Sequence, residues 1–271
     1  MKKFISIIVT SILFLLGIGI GSLYFYQEKI LFKSIPLSQD YQFSYKEEFE
    51  EVFLQADEHS QINALHFKTD DPKGVVLYFH GRGGNLSKGW GNSFQEFTKR
   101  GYDFFIIDYR GFGKSRGKLS EKALCRDAEM SYQYLLHFYH EKEIVVYGRS
   151  LGTGIATYVA AEHRPKMLVL EAPYFSFLDL IPQKIPSLTG FLPSLLLKYP
   201  LRTDQWIAHV DSPIHIFHGT EDELIPYDSS TRLLDLIKSK KDAILITIEK
   251  GKHNHLRQHP RYQMALDSIL D

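Results

Sequence analysis

Gly148-Arg149-Ser150-Leu151-Gly152 has the G-x-S-x-G spacing in which a serine can occupy a sharp strand-to-helix turn. The run Ile144–Tyr147 before it is apolar and mostly β-branched, whereas Gly152-Thr-Gly-Ile-Ala-Thr-Tyr-Val-Ala-Ala161 after it suits a helix. A serine on such a turn adopts a strained backbone, so the residues two before and two after it must be small. The turn lifts the hydroxyl clear of the strands and leaves the helix-opening N–H groups pointing at it. An ordinary glycine-rich turn is the plainer alternative.

A serine hydroxyl is a poor nucleophile near neutral pH and needs a base, itself held by a carboxylate. His218-Gly-Thr-Glu-Asp-Glu-Leu-Ile-Pro226 follows the strand-like run Ile214–Phe217 and offers Asp222, with Glu221 and Glu223 as neighbours that could be mistaken for it. Lys250-Gly-Lys-His-Asn-His-Leu256 follows Ile244–Ile248 and offers His253, with His255 two residues on. His253 stands closer to the strand end, just past Gly251, and is preferred. Acyl transfer also needs donors for a developing oxyanion. His80-Gly-Arg-Gly-Gly-Asn85 follows the run Val75–Phe79, and its glycines allow close backbone approach. The expected donors are the backbone N–H groups of Arg82 and Leu151, with His80 in a structural role. The phosphate-cradling Gly-x-x-x-x-Gly-Lys-Ser/Thr spacing is missing.

These residues require a scaffold that delivers them to one edge, and the pattern supplies it. Short apolar runs at Val75–Phe79, Phe104–Asp108, Ile144–Tyr147, Leu168–Leu170, Ile214–Phe217 and Ile244–Ile248 are mostly continuous, as in strands buried on both faces. Helical candidates lie among them at Asn92–Arg100, Glu121–Tyr139, Leu151–His163, Ser229–Ser239 and Arg261–Leu270. Such alternation predicts a doubly wound, mostly parallel sheet, with ligands bound beyond the carboxyl ends of its strands. Glu50–Leu54 and Ile62–Lys68 read as a preceding hairpin. Tyr174–Pro200 breaks the alternation: with Pro182, Pro186, Pro193 and Pro200 among apolar residues, it suits short helices folded over the sheet as a cap.

The chain has 271 residues, 32 Lys plus Arg against 32 Asp plus Glu, and 44% hydrophobic residues. That is ample for a large core, and neither net charge nor a basic stripe invites nucleic acid. Cys125, the single cysteine, excludes an intramolecular disulfide and reads as a small core residue in a helix. Twelve histidines invite a metal reading, but no H-E-x-x-H or cysteine partner supports one, and no cofactor is expected.

Residues 1–26 differ from the rest. Lys2 and Lys3 precede Phe4–Tyr26, 23 residues without a charge, and about 20 apolar helical residues span a bilayer core. An uncleaved N-terminal membrane anchor is expected, with a cleaved signal peptide and a secreted product as the rival. Lys2 and Lys3 against Lys29 and Lys33 favour the amino terminus inside and the catalytic domain on the non-cytoplasmic side. Residues 27–45 read as a linker and 46–271 as the catalytic domain, with 174–200 as its cap.

The sequence resembles the membrane-anchored α/β-hydrolase-domain proteins that group with lysophospholipases, acylglycerol lipases and protein depalmitoylases. Tyr26-Gln-Glu-Lys-Ile-Leu-Phe32, Tyr78-Phe-His-Gly-Arg-Gly-Gly-Asn85, Asp108-Tyr-Arg-Gly-Phe-Gly-Lys-Ser115, Tyr147-Gly-Arg-Ser-Leu-Gly152, His218-Gly-Thr-Glu-Asp222 and Gly251-Lys-His-Asn254 carry the resemblance, collinear from about residue 26 to the end. It implies an α/β-hydrolase fold: a mostly parallel twisted sheet with helices on both faces and a small helical cap, preceded by the transmembrane helix. It also implies Ser150 as nucleophile, Asp222 as orienting acid and His253 as base, with Asp108 and Ser115 in a structural loop. Arg82 stands where a small or amide residue is common in that family. The expected activity is ester or thioester hydrolysis of a lipophilic acyl substrate at a membrane. A serine peptidase and a silent, membrane-tethered binding protein of the same fold are the alternatives.

Overall fold

The computed structural model describes residues 2–87, 89–184, 196–239 and 242–271, the side chains of 2, 3, 5–9, 12, 13, 15, 16, 20, 23 and 184 excepted. Eight strands form one sheet: β1 (Phe49–Asp57), β2 (Ser60–Phe67), β3 (Val75–Phe79), β4 (Asp103–Ile107), β5 (Ile144–Arg149), β6 (Met167–Glu171), β7 (Ile214–Gly219) and β8 (Ala243–Ile248). Their spatial order is β1-β2-β4-β3-β5-β6-β7-β8. β1 with β2 and β2 with β4 are antiparallel, and all later pairs are parallel.

The runs that read as continuous are the inner strands. Every residue of β3, β4 and β6 is buried, because helices cover both faces of a parallel sheet. β1 and β8 close the two edges, and both mix exposed with buried positions. One apolar cluster packs α3 (Glu121–Leu135) and α4 (Gly152–Glu162) on one face through Ala128, Tyr132, Ile155 and Val159. The other face is covered by Phe94, Phe97 and the C-terminal helix Pro260–Leu270 through Tyr262 and Leu266. Burying a side chain the size of Val, Leu or Phe stabilises by about 1.5–3 kcal/mol each, so these two layers dominate the stability. Cys125 is buried in α3, as expected.

Two segments differ from the sequence reading. Asn92–Arg100 is not one helix: a 3-10 turn Gly91–Phe94 precedes a single turn, α2 (Gln95–Thr98). Gly101, at φ +78°, ends it two residues after the cap. The stretch 27–45 is no free linker. α1 runs unbroken from Lys2 to Phe32, and Phe32 is buried against the domain. Beyond it, Ser34 bridges to Gly84 and Pro36 to Gly113, while Leu37 N–H donates to the Gly113 carbonyl at 2.8 Å. These bonds satisfy backbone groups that a loose linker would leave to water.

Among the described residues no helix is long and apolar enough to cross a membrane, so a spanning role for residues 1–26 rests on the sequence alone. Of the expected cap 174–200, residues 174–184, with α5 (Phe177–Lys184), and residues 196–200 are described. Residues 185–195, with Pro186 and Pro193, lie outside the described residues.

Candidate active site

β5 ends at Arg149 and α4 begins at Gly152, so Ser150 sits on the two-residue turn between them. Its φ is +51°, in the left-handed region that L-residues rarely adopt. The flanking glycines are required by contact. A methyl group on Gly152 would collide with the backbone carbonyl of Phe79, and one on Gly148 would lie 2.7 Å from the Ala156 side chain. The turn is tied from behind, because Ser150 N–H donates to the carbonyl of Glu171 at 2.8 Å.

His253 reaches this turn from the loop after β8 and Asp222 from the loop after β7. His253 Nε2 lies 3.0 Å from Ser150 Oγ, and His253 Nδ1 lies 2.7 Å from Asp222 Oδ2. The sequence reading left rivals open here, and the geometry separates them. His255 is exposed, as are Glu221 and Glu223; Glu223 Oε2 accepts from the backbone N–H of His253 at 3.4 Å, not from its ring.

Asp222 has a fully buried side chain. Burial would raise its pKa, but hydrogen bonds from His218 and His253, the His253 charge and the Ile225 N–H outweigh that and hold it well below the usual carboxylate range. Its Oδ1 accepts from Leu224 N–H at 2.9 Å and Ile225 N–H at 2.8 Å. The carboxylate is thereby kept ionised and aimed at the imidazole.

The loop after β3 borders the serine. A Cβ on Gly81 would stand 3.4 Å from the Ser150 Cβ and 2.9 Å from the Trp90 ring. His80 is committed to this loop: its Nδ1 lies 2.7 Å from the Gly81 carbonyl oxygen, and its ring stacks 5.5 Å from that of Trp90. Asp108 and Ser115 hold the loop's neighbour, Ser115 Oγ donating to the Asp108 carbonyl at 2.7 Å and Asp108 Oδ2 accepting from Leu86 N–H at 3.2 Å.

A cavity of about 440 Å³ opens above Ser150, within the size range of small-molecule sites. Arg82, Leu151 and His253 line it together with Leu31, Tyr174, Phe177, Leu180, Ile181, Leu224 and Ile225. Arg82 is exposed at its rim. No acidic side chain is among the described lining residues.

Behind the serine lies a polar cluster that the sequence reading missed. Glu171, fully buried, takes Arg149 Nε at 2.9 Å, Arg257 Nη2 at 2.9 Å and the Tyr147 hydroxyl at 2.7 Å. Burial opposes its charge, but the two guanidinium groups and the Tyr147 hydrogen bond lower its pKa to about 2. Arg149 Nη2 also donates to the His253 carbonyl at 3.2 Å, tying the histidine loop to the serine turn. Glu171 ends a continuous apolar strand, a position where a charge is anomalous, and that was the available signal.

A mostly parallel sheet with this strand order, carrying a serine on the turn after its fifth strand, is the α/β-hydrolase fold. The chain belongs to the hydrolase family described as serine aminopeptidase, S33, whose profile matches residues 70–206, just over half of the sequence. It is a hydrolase by that membership. The lysophosphatidylserine lipase ABHD12 of Danio rerio is 28% identical over 193 residues, covering 65% of this chain and only 50% of the lipase. Protein bem46 of Schizosaccharomyces pombe is 25% identical over 240 residues, covering 83% of this chain and 79% of that one. The uncharacterized membrane protein YNL320W of Saccharomyces cerevisiae is 27% identical over 250 residues, covering 88% and 86%. Among solved structures, the Pyrococcus furiosus esterase Pf2001 superimposes with a TM-score of 0.69 at 18% identity, covering 88% of this chain and 97% of the esterase. At that identity the likeness speaks to the fold alone.

Proposed function

We propose that the chain hydrolyses an ester or thioester of a lipophilic acyl substrate through an acyl-enzyme. Ser150 Oγ attacks the acyl carbon as His253 Nε2 takes its proton, and Asp222 stabilises the imidazolium that forms. The oxyanion is received by the backbone N–H groups of Arg82 and Leu151. The imidazolium protonates the departing alcohol or thiol. Water, deprotonated by His253, then attacks the acyl-enzyme and releases the acid. The observation that carries this reading is the unbroken relay from Ser150 through His253 to Asp222, with steps of 3.0 and 2.7 Å, on the floor of an apolar cavity. Ser150→Ala tests it: a fluorophosphonate probe should cease to label the protein, and turnover of acyl esters should fall by ~1,000-fold or more.

The family's description favours a second reading, an aminopeptidase. Such an enzyme must receive a positively charged amino terminus. Arg82 and Arg149 in the lining, and the lack of acidic side chains among the described lining residues, oppose it. Hydrolysis of amino-acid arylamides faster than of butyryl and lauroyl esters would reverse the preference.

Residues 1–26 are proposed as the tether that holds the domain at a membrane, with the catalytic domain on the non-cytoplasmic side. The 23-residue charge-free run supports this reading, as does the likeness to a protein described as a membrane protein. Retention of the full chain in membranes after alkaline carbonate washing is the expected result.

A further inference from the structure

The last turn of α1 is built into the catalytic cavity. Leu31 lines that cavity together with Phe177, Leu180 and Ile181. Its position is fixed from both sides. On the cap side, Gln27 donates through Nε2 to the Leu196 carbonyl at 3.1 Å and accepts from Lys198 N–H at 2.8 Å. The Phe32 ring packs edge-on against Tyr199, with centroids 4.8 Å apart. On the other side, Gly83 N–H donates to the Phe32 carbonyl at 2.8 Å, and Arg82 Nη1 donates to the Ile30 carbonyl at 3.4 Å. Both of these donors belong to the loop that borders Ser150. Leu31 therefore stands between two anchors and has little freedom to withdraw when the cavity fills.

We infer that Leu31 is a wall of the acyl site and a ruler of acyl length, so that the segment leading away from the N-terminus selects the substrate. An acyl group bound at Ser150 extends among the apolar side chains of the described lining, which include Leu31, Phe177, Leu180 and Ile181. The preferred substrates are then acyl esters or thioesters whose chain is long enough to reach Leu31. A bulkier residue at this position shortens the usable chain, and a smaller one lengthens it. This inference rests on the esterase reading above.

The test uses the full-length chain in detergent and a series of acyl thioesters and nitrophenyl esters from two to sixteen carbons. Leu31→Trp should lower the ratio of kcat/KM for lauroyl over butyryl ester at least tenfold. Leu31→Ala should move the optimum in the opposite direction, toward longer chains. Ile30→Trp alters a neighbour that is 48% exposed and not part of the lining, and should leave the ratio within twofold of wild type. Opposite shifts from Trp and Ala support the inference, and a merely structural role cannot produce them. Equal losses at every chain length, or unchanged ratios in both Leu31 variants while the probe still labels Ser150, overturn it. Should Leu31→Trp fail to fold, the direction of the Leu31→Ala shift decides alone. A wild-type chain that neither turns over esters nor labels at Ser150 overturns the esterase reading and this inference with it.

Discussion

The backbone N–H of Ser150 donates to the backbone carbonyl of Glu171 at 2.8 Å, and the carboxylate of the same glutamate gathers Arg149 and Arg257. One residue at the end of β6 thus holds the serine turn by its main chain and, through Arg149, the His253 loop by its side chain. Two guanidinium groups share one buried carboxylate, so the charge of Glu171 is indispensable to both.

Glu171→Gln should therefore be costly. Removing one partner of a buried ion pair costs about 3–5 kcal/mol, because the remaining charges are left uncompensated. Urea unfolding should show a loss of that order. The folded fraction should also turn over more slowly, since the histidine loop loses its tie.

The two histidines of the Lys250–Leu256 loop should separate cleanly. His253→Ala removes the proposed base and should lower kcat/KM by ~1,000-fold or more, comparable to Ser150→Ala, because residues of such a relay act as a unit. His255→Ala, at an exposed position, should remain within threefold of wild type. Steady-state kinetics on one ester substrate suffices.

His218 is expected to act through Asp222 rather than on the substrate. Its Nε2 lies 3.3 Å from Asp222 Oδ2, and its Nδ1 lies 2.6 Å from Ser230 Oγ. His218→Ala removes one of the hydrogen bonds that keep Asp222 ionised. The variant should show kcat reduced about tenfold, the effect of losing roughly 1.4 kcal/mol, while KM changes little.

Stability should fall in mild acid because of His66. Burial, and then the charge of Lys68, push its pKa from 6.5 to about 4 against the pull of Asp103. The folded chain resists a proton that the unfolded chain accepts below pH 6.5, so this contribution is complete above 6.5 and is lost as the pH falls toward 4. His66→Gln removes the titration while offering a hydrogen-bonding group to Tyr139, whose hydroxyl lies 2.9 Å from His66 Nε2. Between pH 7 and pH 5 the wild type should lose about 2 kcal/mol more than the variant. Chemical denaturation at the two pH values measures the difference, and equal losses would remove His66 from the account.

The sheet was legible in the sequence because its inner strands are short runs buried on both faces, bounded by turns. The meeting of Ser150, Asp222 and His253 at one edge was legible because each follows shortly after such a run, so local pattern and position at the sheet edge coincide. What escaped was assembled from afar. Arg257 meets Glu171 across 86 residues, and nothing in either neighbourhood announces the other. The stretch after Tyr26 looked like a linker because Glu28, Lys29 and Lys33 give it a solvated composition. Its partners lie far along the chain at Gly83, Leu196, Lys198 and Tyr199, and tertiary burial of Phe32 overrides what composition suggests. The expected helix at Asn92–Arg100 failed for a local reason: its start is wound as a 3-10 turn, and glycine follows too soon.

α1 carries no proline and passes without a break into the cavity wall. Its last residue, Phe32, is held through its carbonyl by the amide of Gly83, in the loop that borders Ser150. Helix and cavity are therefore parts of one folded unit. Grafting a foreign leader onto residue 33 would remove a side of the chamber.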